Sequence, residues 1–164
     1  MRDLTFAAVY EQYAQEVYRF ALYLSGNRSL AEDLAAETFS RAWVARDRIR
    51  VGTVKAYLLM ITRNLYRDLT RKQPEVPLDA VWSLTDGGPD PESAVVARSE
   101  LDAVLAALRT LPEAERSVLL MATLGHVSHE AIAVAFGMTP AAVKVRVHRA
   151  RAKLNAARSA KEPS

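Results

Sequence analysis

Gly137 is the position that most restricts how this chain folds. It stands between an apolar segment ending at Phe136 and the pair Thr139-Pro140. A glycine there adopts positive φ and ends a helix. The threonine then caps the next helix with its side-chain oxygen, and the proline fits the first helical position, where its missing N–H costs nothing. The residues thus read as two helices joined by the short turn Phe136-Gly137-Met138-Thr139. Val143 and Val147, four apart, lie along one face of the second helix, and Lys144, Arg146, Arg149, Arg151 and Lys153 occupy much of its remaining surface. The first helix, from about Ser128 to Phe136, is apolar at Ile132, Ala133 and Phe136. Ala133 is small where two helices must cross closely. Small residue, turn glycine and apolar anchor fall at the spacing of a helix-turn-helix, whose basic helix enters the major groove and reaches phosphates and base edges. Residues 140 to 155 alone fit an ordinary hairpin with a solvated charged face equally well. The turn spacing together with the one-sided charge favours DNA binding.

Charge extends that reading. The formal net charge of the 164 residues is only +3, but the charge is segregated. Residues 46 to 72 and 140 to 161 are basic, whereas residues 73 to 100 are acidic. This order suggests two nucleic-acid-facing modules and a connector used differently. The absence of cysteine excludes disulfides and thiolate metal sites, and fits a reducing compartment. The opening MRDLTFAAVYEQY carries acids and lacks the apolar core of a signal peptide. No run approaches the roughly 18 apolar residues of a membrane span. The expectation is a cytoplasmic chain without membrane insertion.

Residues 4 to 25 read as a helix, with Val9, Tyr13, Val17, Phe20 and Leu24 on one stripe and Gly26-Asn27 as its stop. Ser29-Leu30-Ala31-Glu32 has the pattern of a capping box opening a second helix, which runs to about Val44 with Leu30, Leu34, Phe39 and Trp43 as apolar anchors. Its acids, Glu32, Asp33 and Glu37, either answer the helix macrodipole or form a binding surface. A basic loop with Arg46, Arg48, Arg50 and Gly52 leads to a third helix from about Thr53. Val54, Tyr57, Leu58, Ile61, Leu65 and Leu69 form its apolar stripe, while Lys55, Arg63, Arg67, Arg71 and Lys72 load the other faces. Asn64 adds an amide suited to a base edge. Tyr57 and Tyr66 fit either stacking on single-stranded bases or a half-buried core. Residues 73 to 91 hold four prolines, a glycine pair and four acids and read as a linker. Val76, Leu78, Val81, Trp82 and Leu84 make it too apolar for a passive tether. A helix from Asp90-Pro91 to about Thr110 buries Leu101, Val104, Leu105 and Leu108; another, after Leu111-Pro112, carries Val118, Leu119 and Ala122 into the helix-turn-helix. No strand alternation is convincing. The expected architecture is all-α: two small helical domains, residues 1–72 and 92–164, joined by a flexible linker at 73–91 that permits a compact free form and an extended bound one.

Three stretches together resemble the group IV, extracytoplasmic-function (ECF) sigma factors of bacterial RNA polymerase. SLAEDLAAETFSRAW is similar to the family's clamp-binding helix, VKAYLLMITRNLYRDLTRK to its −10-reading helix, and LPEAERSVLLMATLGHVSHEAIAVAFGMTPAAVKVRVHRARAKL to its −35-reading domain. The resemblance covers most of the chain, in the family's order. It implies a transcription initiation factor that binds core RNA polymerase, through the β′ clamp and the β subunit, and places it on double-stranded and locally melted promoter DNA. Glu32, Asp33 and Glu37 would bind the polymerase, Asp33 and Glu37 matching acidic positions that meet a basic coiled coil of β′. Phe39 and Trp43 match the same motif but read as core. Arg63 and Asn64 match the family's Arg-Asn pair, and the loop from Arg48 to Thr53 matches the segment that captures a flipped base. Arg48, Arg50, Gly52, Thr53, Lys55, Arg63, Asn64 and Arg67 are thus the expected −10 contacts. Thr139, Ala141, Lys144, Arg146, Arg149 and Arg151 are the expected −35 contacts. An anti-sigma factor is an implied partner; no cofactor is implied. The chain departs from the family at Ala36, where glutamine is common, at Tyr57 for a usual tryptophan, at Met60 for a usual basic residue, and at Val145 for a small hydroxyl residue.

Two rival functions fit less of the chain. His126, His129 and Glu130 superficially suggest a metal enzyme, but the order is not HExxH and no third ligand is evident. No glycine-rich phosphate loop or nucleophile motif accompanies them. A stand-alone helix-turn-helix regulator with an N-terminal sensor or dimerisation domain would have no need of the basic residues between 46 and 72.

Overall fold

The computed structural model describes residues 5–49, 54–72 and 91–161, and within them the chain is helical, with no strand. The helices are α1 (Phe6–Ser25), α2 (Arg28–Val44), α3 (Val54–Lys72), α4 (Pro91–Arg109), α5 (Glu113–Thr123), α6 (His129–Phe136) and α7 (Pro140–Lys161). A short 3-10 turn, Arg46–Arg48, follows α2. The all-α expectation is met, with the helix-turn-helix formed by α6 and α7. Residues 73–90, the expected linker up to the proline that opens α4, lie outside the described residues, as do Arg50, Gly52 and Thr53.

Local chemistry sets the first boundaries. Thr5 caps α1 by accepting from the Ala8 N–H at 3.1 Å. Gly26, at φ 68°, ends it by donating its N–H to the Leu22 carbonyl. The second helix starts earlier than the expected capping box. Asn27 accepts from the Leu30 N–H at 2.9 Å, so Ser29 and Glu32 sit inside the helix, both exposed. Asparagine caps as well as serine does, and the one nearest the glycine stop comes first in the chain.

The helices α1, α2 and α3 pack on one another around Val17, Phe20, Leu24, Leu34, Phe39 and Leu58. The C-terminal group packs α5 and α6 onto α7 around Val118, Met121, Ile132, Ala133, Val143, Val147 and Ala150. At roughly 1.5–3 kcal/mol for each large apolar side chain fully buried, either group holds a usable core. The two groups nevertheless share one continuous core, because α1 also packs on α4 and α5, and α3 on α5 and α6.

Sandwiching explains why α3 departs from its expected stripe. Val54, Leu58 and Leu65 are buried as expected, but so are Leu59, Thr62 and Tyr66, whereas Leu69 and Tyr57 are exposed, the tyrosine at 37%. A helix covered on two sides does not keep a single apolar stripe. Tyr66, at 1% exposure, is core, which removes it from any base-stacking role in this packing. Trp43, expected in the core, is instead 47% exposed. Its ring lies edge-on to Phe6 at 5.0 Å and beneath the Arg46 guanidinium at 3.9 Å. Phe39 is buried, as expected.

Candidate nucleic-acid interface

The helix-turn-helix is built by three local devices. Ser128 caps α6, its hydroxyl accepting from the Ala131 N–H at 3.1 Å. Gly137, at φ 65°, closes it: the Met138 N–H reaches the Ala133 carbonyl at 2.9 Å and the Gly137 N–H reaches Val134 at 3.4 Å, the Schellman pair. Thr139 then caps α7, accepting from the Ala142 N–H at 3.1 Å, with Pro140 as its first residue. Val143, Val147 and Ala150 are buried on the side of α7 that faces the core.

That anchoring decides what the rest of α7 presents. Thr139, Ala141, Lys144, Arg146, Arg149 and Arg151 are all exposed. At about 100° per residue, Ala141, Val145 and Ala152 fall opposite the buried seam, with Lys144 and Arg151 on one flank and Arg146 on the other. An uncharged strip between two cationic flanks matches a major groove, whose floor carries base edges and thymine methyls and whose walls carry phosphates. Lys153 is used differently: its ammonium donates to both Glu115 oxygens, at 3.1 and 3.0 Å, and ties α7 to α5.

The acidic residues of α2 form a second surface. Glu32, Asp33 and Glu37 are exposed, opposite buried Leu34, Thr38 and Ala42. At about 100° per residue they fall within an arc of about 140°. Because α2 begins at Arg28, none of them lies in its first turn. The macrodipole acts only near the helix end, so it does not account for them, and the binding-surface alternative gains. Glu37 accepts from the Arg41 guanidinium at 3.2 Å, with both side chains more than half exposed. Such a pair is worth about 0.3–0.5 kcal/mol and leaves Glu37 available.

The residues expected at the −10 element divide. Arg48 and Asn64 are exposed, and Tyr57, outside that set, shares one open face of α3 with Asn64. Three other cations are engaged within the protein. Arg63 is buried and makes a two-pronged bond to Glu113 of α5, Nε to Oε1 at 2.6 Å and Nη2 to Oε2 at 3.1 Å. Its guanidinium also lies over the Phe136 ring at 4.8 Å. Arg67 Nε stands 3.7 Å from the Glu113 Oε2. Lys55 donates to the Gly125 carbonyl at 2.9 Å and lies 3.5 Å from Glu16. Glu113 is further fixed by the Ser117 hydroxyl, which donates to it at 2.8 Å. Reasoning from the sequence missed Glu113 and Arg116. Arg116 is buried, donates to the Leu24 carbonyl at 2.6 Å and reaches the Tyr66 hydroxyl at 3.4 Å. Arg116 stands between Glu115 and Ser117 in the polar opening of α5, so no local signal marks it as buried.

Among the described residues, no group of His, Asp and Glu side chains is placed to hold a metal ion. No helix among them is long and apolar enough to cross a membrane. A groove at the C-terminal end of α5 is apolar, with Leu108, Leu119, Leu124 and Leu154 in its walls.

Comparison with known proteins adds the following. Residues 9–75 match the Sigma-70 region 2 family and residues 101–154 match Sigma-70, region 4. The chain is 35% identical over 157 residues to the ECF RNA polymerase sigma factor EcfG of Rhodopseudomonas palustris, covering 95% of this chain and 83% of that one. It is 35% identical over 148 residues to the ECF RNA polymerase sigma factor SigE of Mycolicibacterium smegmatis, covering 87% of this chain and 57% of that one. Two solved structures share its fold. One is the sigma factor RpoE in complex with the anti-sigma factor NepR from Bartonella quintana, with a TM-score of 0.72 and 25% identity over 96% of this chain and 98% of that one. The other is CnrH in complex with the cytosolic domain of CnrY, with a TM-score of 0.70 and 26% identity over 96% and 89%.

Proposed function

The chain belongs to the ECF RNA polymerase sigma factors of the sigma-70 family, and from that premise we propose how its three surfaces divide the work of promoter recognition. A sigma factor of this family directs transcription initiation at chosen promoters. Here the acidic face of α2, with Glu32, Asp33 and Glu37, docks on the basic clamp of the polymerase β′ subunit, and the C-terminal group meets the β subunit. Arg48, Arg50, Gly52, Thr53, Lys55, Arg63, Asn64 and Arg67 engage the −10 element. The segment from Arg48 to Thr53 takes an extruded base, at an unstacking cost of a few kcal/mol offset by its pocket. The α7 helix enters the major groove at the −35 element, with Thr139 and Ala141 at its leading end and Lys144, Arg146, Arg149 and Arg151 on phosphates and base edges. The bond-making chemistry stays in the polymerase. The region 2 group is residues 1–72, the region 4 group 92–164, and the protein works in the cytoplasm.

The observation that carries this reading is the anchoring of α7. Burial of Val143, Val147 and Ala150 turns four cations outward from a helix whose start is fixed by Gly137 and Thr139. A merely solvated helix needs neither the closed turn nor that one-sidedness. An anti-sigma partner is part of the proposal, supported by the likeness to RpoE, solved with an anti-sigma factor, and to CnrH, solved with the cytosolic domain of CnrY.

The test is transcription from a promoter library by purified core polymerase, with and without this protein. The expected result is discrete start sites that appear only with the protein and share two spaced upstream elements. Absence of both transcripts and a complex with core polymerase would replace this reading with a stand-alone DNA-binding regulator.

A further inference from the structure

Val145 is the large apolar side chain that α7 turns to solvent. It is 46% exposed, whereas Val143 and Val147, two residues to either side, are buried in the core. At about 100° per residue it lies opposite the middle of the buried seam. Ala141, one turn before it, and Ala152, two turns after it, fall within about 40° of it. Both are exposed, and neither carries a side chain past Cβ, so the valine stands above its own strip. Lys144 and Arg151 to one side and Arg146 and Arg149 to the other are exposed as well.

A single exposed apolar residue needs no explanation in itself. This one is marked by its place. It is a weaker helix former than alanine and gains little burial from folding, yet it stands at the centre of a cationic face. The charge of that face complements a polyanion. On the floor of a DNA major groove, the apolar group is the thymine methyl.

We propose that Val145 sets the sequence preference of the −35 reader by packing on the C5-methyl of one thymine, and that 5-methylcytosine serves in its place. The inference rests on the −35 reading proposed above and names the group that is read.

The chemistry of the side chain restricts what it can select. Valine neither donates nor accepts a hydrogen bond. Set against a purine acceptor or the amino group of adenine or cytosine, it would strip water from that group and return no bond. Set against a methyl, both surfaces lose water and no polar group is orphaned. The side chain is also ordered in advance, because a β-branched residue in a helix keeps one main χ1 rotamer. The Thr139 cap and the burial of Val143 and Val147 fix the helix beneath it. Phosphate contacts from the flanking cations supply affinity without sequence information, which leaves the choice of base to the strip between them.

The probe is a duplex promoter fragment carrying the upstream elements found by the promoter-library transcription, bound at fixed salt by core polymerase with the full chain. Each thymine of the −35 element, on either strand, is replaced singly by deoxyuridine, which removes only the methyl. At one thymine this is expected to weaken binding about three- to five-fold, the effect of one buried carbon. Val145→Ala, a change to a better helix former at an exposed position, should bind the two probes equally. Val145→Ile should still prefer thymine. When the same pair is changed to C·G, a C5-methyl on the cytosine should strengthen binding by the parent protein and do nothing for Val145→Ala. Lys144→Ala should weaken binding to both probes and leave their ratio unchanged. If no single methyl matters to the parent protein, or if its loss affects Val145→Ala equally, the inference is overturned while −35 reading stands. A −35 element without any A·T pair would overturn it too. Absence of discrete start sites would instead strike the promoter reading, and the role of Val145 with it.

Discussion

Thr38 and Thr62 share a hydrogen bond of 2.8 Å in the core, one from α2 and the other from α3. Each hydroxyl also lies within bonding distance of the carbonyl four residues back, Leu34 at 2.7 Å and Leu58 at 2.9 Å. This polar link fixes the helix with the acidic face against the helix that carries Arg63 and Asn64. A Thr38→Val or Thr62→Val variant leaves the surviving hydroxyl a carbonyl to bond, so no buried group is orphaned. Each single change should cost only about 0.5–1.5 kcal/mol. In a double-mutant cycle by chemical denaturation, the pair should couple by about 1 kcal/mol or less. Destabilisation well above that by either single variant would mean the link is not backed by the carbonyls.

The acidic face of α2 gives a prediction about binding rather than folding. Asp33→Arg combined with Glu37→Arg reverses the charge of an exposed arc and breaks the exposed Glu37–Arg41 pair. An exposed helix pair contributes about 0.3–0.5 kcal/mol, so helical circular dichroism should be retained. Binding to core polymerase should be abolished. Wild-type binding by the double variant, measured on the same preparation, would remove the clamp assignment.

How far the residues disclosed this structure depends on whether a signal is local. Gly26, Gly137 and Thr139 mark their helix ends as expected, and Ser128 opens α6, because a cap depends on a few neighbouring backbone groups. Asn27 competes with Ser29 because two good caps stand two residues apart, and the chain uses the first. The misplacement of Trp43 and the open choice at Tyr66 have a different origin. Helical periodicity places a residue on a face but does not say how many faces a neighbour covers. Trp43, near the end of α2, is covered only in part, by Phe6 at the start of α1 and by Arg46, while Tyr66 lies on the side of α3 that the C-terminal group closes over. Arg63 is the clearest case. Its type and position point to DNA, yet its partner is 50 residues away on α5, a pairing that no local pattern reveals.

Two glycines separate backbone strain from crowding. Gly137 has φ 65°, and a Cβ there would meet nothing within 4 Å. Gly137→Ala should therefore cost only the left-handed backbone penalty, roughly 1–2 kcal/mol, and Gly137→Asn less, since asparagine tolerates that conformation. Gly125→Ala meets the Met121 carbonyl oxygen at 2.9 Å, a backbone atom that cannot simply rotate away. It should destabilise the protein more than Gly137→Ala does. Thermal denaturation of the three variants gives the order, and a Gly125→Ala variant as stable as the parent would contradict the close approach.

Arg149 offers a quantitative check on the recognition helix. It is exposed on α7, away from the buried seam of Val143, Val147 and Ala150. If its guanidinium neutralises one phosphate, DNA binding by Arg149→Ala should weaken and the plot of log affinity against log salt should flatten by about 0.9. Lys153 serves as the internal contrast, because its ammonium is already bonded to Glu115. Lys153→Ala should leave the slope nearly unchanged and instead lower stability slightly, within about 1 kcal/mol for an exposed pair. The difference between the two slopes isolates the phosphate contact from the general loss of one positive charge, which both variants share. Equal slopes for the two would place Arg149 on a solvated face.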